Sequence, residues 1–114
     1  MKDWLRKHPD VRTIRVAAAD LNGQARGKRI PARFAENVVK NGTRFPFSVL
    51  NLDIWGEDID DSPLVFEQGD QDGVLKPTER GFMPMPWLEA PTALLPIWMF
   101  RENGMPYEGD PRHA

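Results

Sequence analysis

The stretch Val11-Arg-Thr-Ile-Arg-Val-Ala-Ala-Ala-Asp20-Leu-Asn-Gly-Gln-Ala-Arg-Gly-Lys-Arg-Ile-Pro31 decides the fold. Its first half, Val11 to Ala18, sets β-branched Thr13, Ile14 and Val16 in an alternating pattern, which reads as a half-buried strand. Asn22-Gly23 is the strongest short hairpin signal, because a type I′ turn needs positive φ at both central residues. The returning strand carries Arg26, Gly27, Lys28 and Arg29 before Ile30-Pro31 ends it. A two-residue turn there predicts Ala18 opposite Gly27 and Val16 opposite Arg29. That register mixes apolar and charged groups on one face, and glycine in a strand often marks a bulge, so a bulge is expected near Gly27.

Outward from the hairpin, Pro31 to Gly42 reads as the main helix. Proline suits the first helical position, Phe34 and Val38 lie at i and i+4, and Asn41-Gly42 is a C-terminal stop. Before the hairpin, residues 3–9 have two readings: a short amphipathic helix with Trp4 and Leu5 on one side, or a loosely docked terminal segment. After the helix, Phe45 to Asp53 reads as extended, with Phe45, Phe47 and Val49 on one side and Leu50 and Leu52 on the other. Ile54 to Pro77 is polar and turn-rich, with a brief strand at Val74-Leu75. Phe82 to Trp87 alternates large apolar residues with Pro84 and Pro86. Ala93 to Phe100 is the most apolar run and the expected sheet centre, where Pro96, lacking an N–H, must meet an unpaired or bulged position. Tyr107 to Arg112 trails out as a polar tail.

Composition bounds the function. The chain has 114 residues, a formal net charge of −2 and no cysteine, so it is one domain without a disulfide framework or thiolate metal site. Charges of both signs are scattered, which gives no electrostatic case for nucleic acid or an anionic membrane. The charged first ten residues are no secretion signal, and Ala93 to Phe100 is far too short to span a bilayer, leaving the cytoplasm as the default compartment. Eight of the 11 prolines lie from Pro63 onward, which favours short strands over long helices. Strand, strand, helix, strand, long loop, strands is the order of a β-grasp: an α+β fold with a mixed sheet and one main helix on one face.

No self-contained active site emerges. Glu57, Asp58, Asp60 and Asp61 lack the spacing of a calcium loop and read as solvated surface. His8 and His113 stand at opposite ends of a cysteine-free chain, a poor basis for zinc. Ser48 and Ser62 have no histidine neighbour in sequence. The Arg26, Lys28, Arg29 cluster reads as a solvated strand edge. Of the four tryptophans, Trp55 and Trp87 are candidates for a subunit interface.

An ordered set of residues carries a resemblance. Asp20-Leu-Asn-Gly23, Arg26-Gly-Lys-Arg-Ile-Pro31, a helix ending Asn41-Gly42, Phe45 and Ser48, Leu75-Lys-Pro77, Pro86-Trp87 and a closing Asp110-Pro111-Arg112 resemble the N-terminal β-grasp domain of the glutamine synthetase family. The resemblance covers residues 11–112, with residues 1–10 as an N-terminal segment, and the closing Asp-Pro-Arg resembles the junction to the catalytic domain. It implies ATP-dependent joining of ammonia or an amine to the γ-carboxylate of glutamate through a γ-glutamyl phosphate. ATP and Mg²⁺ or Mn²⁺ are then expected in the full-length enzyme and none in this domain, which has no catalytic or metal-binding residue of its own. The implied partners are the C-terminal catalytic domains of the same and neighbouring subunits in stacked hexameric rings. The isolated domain is expected to be inactive.

Ammonia-using members carry Asp-Gly-Ser-Ser after a phenylalanine, and the aspartate holds ammonium. Laid on this chain, Phe45 matches, Pro46 stands for the aspartate, Phe47 for the glycine, Ser48 for the first serine and Val49 for the second. A buried ammonium needs a counter-charge, which proline cannot supply. The resemblance therefore points to the γ-glutamyl-amine branch, with Pro46, Phe47, Ser48 and Val49 lining the substrate pocket and Asp53, or else Glu57 or Asp58, meeting the ammonium. The contrasting expectation is a free-standing β-grasp protein-binding module without catalysis.

Overall fold

A computed structural model describes residues 2–46, 50–51 and 72–113. Helix α1 covers Lys2–Lys7; strands β1 (Thr13–Ala19) and β2 (Ala25–Pro31) form the hairpin. A 3-10 turn at Ala32–Phe34 leads into helix α2 (Ala35–Asn41), followed by β3 (Thr43–Pro46), β4 (Asp72–Pro77), β5 (Met83–Pro84), β6 (Thr92–Phe100) and a terminal 3-10 turn at Pro111–His113. The sheet order is β2-β1-β6-β4-β3, with β5 also on β6. First and last strands run parallel side by side and every other pairing is antiparallel, the mixed sheet expected of a β-grasp.

Alternation on β1 buries Ile14, Val16 and Ala18, which meet Ala93, Leu95, Ile97 and Met99 of β6 and Leu75 of β4 in one core. Ala35 and Val38 of α2 join this core. The helix is shorter than expected. Pro31 closes β2 instead of opening α2, and the first turn is 3-10, so Phe34 lies outside the buried stripe and is 49% exposed beneath Arg33. Gly42 ends α2 at φ 76°, as its sequence position predicts. At the amino end, α1 forms and docks: Trp4 and Leu5 pack on the core, and Trp4 stacks on Phe82 at 5.5 Å.

Two expectations about the hairpin are overturned. No bulge interrupts β1–β2, whose pairing runs unbroken from Thr13↔Pro31 to Ala19↔Ala25. The register is one residue off the two-residue-turn prediction, with Ala17 opposite Gly27 and Val16 opposite Lys28, because the connection spans residues 20–24. Glycine at 27 answers a different need. A Cβ there would lie 1.7 Å from the Val16 carbonyl oxygen.

β6 is central as expected, and Pro96 sits where its missing N–H does no harm. The β4 pairing ends at Ile97 and the β5 pairing begins at Leu94, so Pro96 falls between them, its carbonyl accepting from Thr78 N–H at 2.9 Å. The tail does not trail out. Tyr107 and Asp110 are buried, and His113 packs against Trp98 and Phe100.

Candidate functional site

The expected substrate segment begins where β3 ends. Pro46, half-buried, closes that strand opposite Asp72, and the preceding Phe45 lies on the core side beneath the Lys28 ammonium, 5.3 Å from the ring centroid. Phe47, Ser48, Val49 and Asp53 lie outside the described residues, as do Trp55, Glu57, Asp58, Asp60, Asp61 and Ser62. On the far side of residues 47–49, Leu50 is buried and its carbonyl accepts the Leu21 N–H at 3.0 Å. Asn51 donates from Nδ2 to the Gly109 carbonyl at 3.0 Å and accepts from the Tyr107 hydroxyl. Phe45 and Pro46 are thus held by the sheet, and Leu50 and Asn51 by the hairpin turn and the tail.

The hairpin turn is organised by Asp20. Its buried carboxylate accepts from the backbone N–H of Asn22 at 2.8 Å and Gln24 at 2.9 Å, and from Arg26 Nε at 2.9 Å. Burial alone pushes this carboxyl up. The Gln24 N–H, the Arg26 side chain and the Asn22 N–H outweigh it and hold the group below the usual carboxylate range. Arg26, expected on a solvated edge, is therefore a structural partner whose Nη2 is buried without a hydrogen bond.

A second carboxylate fixes the tail. Asp110 accepts the Met99 N–H at 2.7 Å and the Arg112 N–H at 3.0 Å, while the His113 Nε2 donates to the Met99 carbonyl at 2.8 Å. Burial, with Glu108 nearby, pushes the Tyr107 phenol up to about 12. The sequence reading used Asp20 and Asp110 as motif residues but missed their structural roles, and it missed Asn51 altogether. Asp20 two residues before Asn22 is an Asx-turn signal, and Asp110 stands before a proline-led turn, but burial of either carboxylate has no sequence signature. Trp87 is 72% exposed, whereas Trp4 packs inward. Among the described residues no cluster of three His, Asp or Glu side chains is placed to hold a metal, and no helix is long and apolar enough to cross a membrane.

Comparison with known proteins shows what the chain is similar to. No protein-family profile matches the chain. Along all 114 residues it is 31% identical to a γ-glutamylputrescine synthetase, PuuA, of Escherichia coli (strain K12), of which it covers 24%. Among solved structures, a novel glutamine synthase homolog superposes with a TM-score of 0.76 at 21% identity, over 90% of this chain and 24% of that one. GmaS in complex with ADP superposes at 0.66 and 24% identity, over 92% of this chain and 21% of its own. These structural likenesses are to the fold. The chain shares its fold with these glutamine synthase-type structures, and it spans about a quarter of the length of the relatives it matches.

Proposed function

We propose that this chain serves as the N-terminal domain of a glutamine synthetase-like ligase that joins an amine to the γ-carboxylate of glutamate at the expense of ATP, through a γ-glutamyl phosphate. The observation that carries the reading is the match to γ-glutamylputrescine synthetase over every residue of the chain. In this reading the domain forms one wall of an active site completed by the catalytic domain of a neighbouring subunit in a ring, and is inactive alone. ATP and Mg²⁺ or Mn²⁺ are, in this reading, taken by the catalytic domain.

The amine is a carbon-bearing one. Pro46 ends β3 where ammonia-using members place the carboxylate that holds ammonium, and its side chain can neither carry the counter-charge nor accept a proton. Phe47, Ser48 and Val49 then line the pocket for the carbon chain of the amine, with Asp53 at its cationic end. The full-length protein, assayed for ATP-dependent phosphate release, should turn over with putrescine or another amine well above ammonium, and the 114-residue chain alone should show no turnover. Preference for ammonium would refute the reading of Pro46. Absence of phosphate release with any amine would refute the ligase reading.

A further inference from the structure

On the sheet face turned away from the core, Arg15 of β1 and Arg29 of β2 stand directly opposite one another. Side chains so placed have Cβ atoms about 5 Å apart, and like charges in that position repel. Neither guanidinium has an ion-pair partner among the described residues, although four other arginines, Arg6, Arg26, Arg44 and Arg101, each face a carboxylate. Both arginines border a cavity of about 320 Å³; Lys28 also borders it, but its ammonium lies over the Phe45 ring, 5.3 Å from the centroid. Its lining includes the next pair along the strands, Ala17 and Gly27, where the absence of bulk leaves room beside the two cations. Leu94 and Met85 supply an apolar wall, and Met85 is held by its N–H on the Thr92 carbonyl at 3.1 Å.

We infer that this cleft binds a small organic dianion, one negative charge facing each guanidinium and a short carbon stem lying on Leu94 and Met85. Planar guanidinium forks suit carboxylates, and two of them with no acid between them call for two negative charges. A volume of this size is at the small end of ligand pockets, which excludes a nucleotide and admits a four- or five-carbon dicarboxylate. The site uses no residue of the proposed amine pocket, so it stands or falls independently of the ligase reading.

The test is calorimetric titration of the longest protein the gene encodes with succinate, butyrate and inorganic phosphate. Saturable succinate binding is expected, with butyrate and phosphate each weaker. Arg15→Gln and Arg29→Gln should each weaken succinate by about tenfold or more, the effect of losing a charge-assisted contact. Arg33→Gln, at an exposed arginine on the 3-10 turn, should leave binding unchanged. Arg29 is exposed, so its variant should retain the native circular dichroism even where that of Arg15 does not. No succinate binding, equal binding of butyrate, or binding untouched by Arg29→Gln overturns the inference. So does salt-sensitive self-association lost in Arg29→Gln without succinate binding, which would assign the arginines to an acidic surface of another copy.

Discussion

The backbone N–H of Met99, in the central strand, donates to Oδ2 of Asp110 at 2.7 Å, closing a buried link between β6 and the tail eleven residues on. A carboxylate out of water is tolerable only when donors surround it, and Asp110 has the Met99 and Arg112 amides. Asp110→Ala should leave the Met99 amide buried and unpaired, costing about 3 kcal/mol, and Asp110→Asn should cost less because its amide oxygen still accepts. Urea unfolding monitored by tryptophan fluorescence measures both. Equal stability of Asp110→Ala and the parent would mean the tail is not fastened in this way.

Asp20 predicts a pH dependence. Its carboxyl is held below the ordinary 3.8, so the folded state releases the proton more readily than the unfolded one. The stabilisation is complete above the unfolded value and is lost as pH falls through the folded one. Stability should drop as pH is lowered below about 4, and Asp20→Asn should flatten the slope. Glu102 and Glu108 are also lowered, by Arg44 and Arg101, but these pairs are exposed and about 0.5 M salt should screen them. Among the described carboxyls, the slope that survives in salt belongs to Asp20.

Tyr107 is the chain's one tyrosine, so alkaline absorbance titration reads it without ambiguity. The folded protein should titrate near 12 and the urea-unfolded chain near 10. Because the folded state keeps its proton longer, stability should decline as pH rises from the lower to the higher value. Tyr107→Phe should remove that decline and cost about 1 kcal/mol through loss of the hydroxyl's bond to Asn51.

Two glycines of the hairpin should respond differently. Gly27→Ala forces a Cβ into the Val16 carbonyl and should destabilise by more than about 3 kcal/mol. Gly23→Ala meets nothing within 4 Å and suffers only from its φ of 75°, a cost of about 1 kcal/mol. Thermal unfolding of the two variants separates steric from conformational demand, and equal losses would contradict the register found here.

By itself the sequence determined the β-grasp and its centre. Thr92–Phe100 is the most apolar run of the chain and takes the middle of the sheet, and Gly42 after Asn41 stops a helix by local backbone preference. The ordered motifs from Asp20 to Arg112 further carry the resemblance to the glutamine synthetase family. Tertiary structure decided the rest. The hairpin register depends on a buried carboxylate drawing Asn22, Gln24 and Arg26 round itself, a contest that turn propensity does not describe. The tail reads as polar and loose, yet Asp110 is buried because β6 has a free N–H to give it. Of the residues proposed for the amine pocket, Pro46 is described, at the end of β3, while the motif alone named the others. The arginine pair became visible only through pairing, because Arg15 and Arg29 are fourteen residues apart in the chain and opposite one another in the sheet.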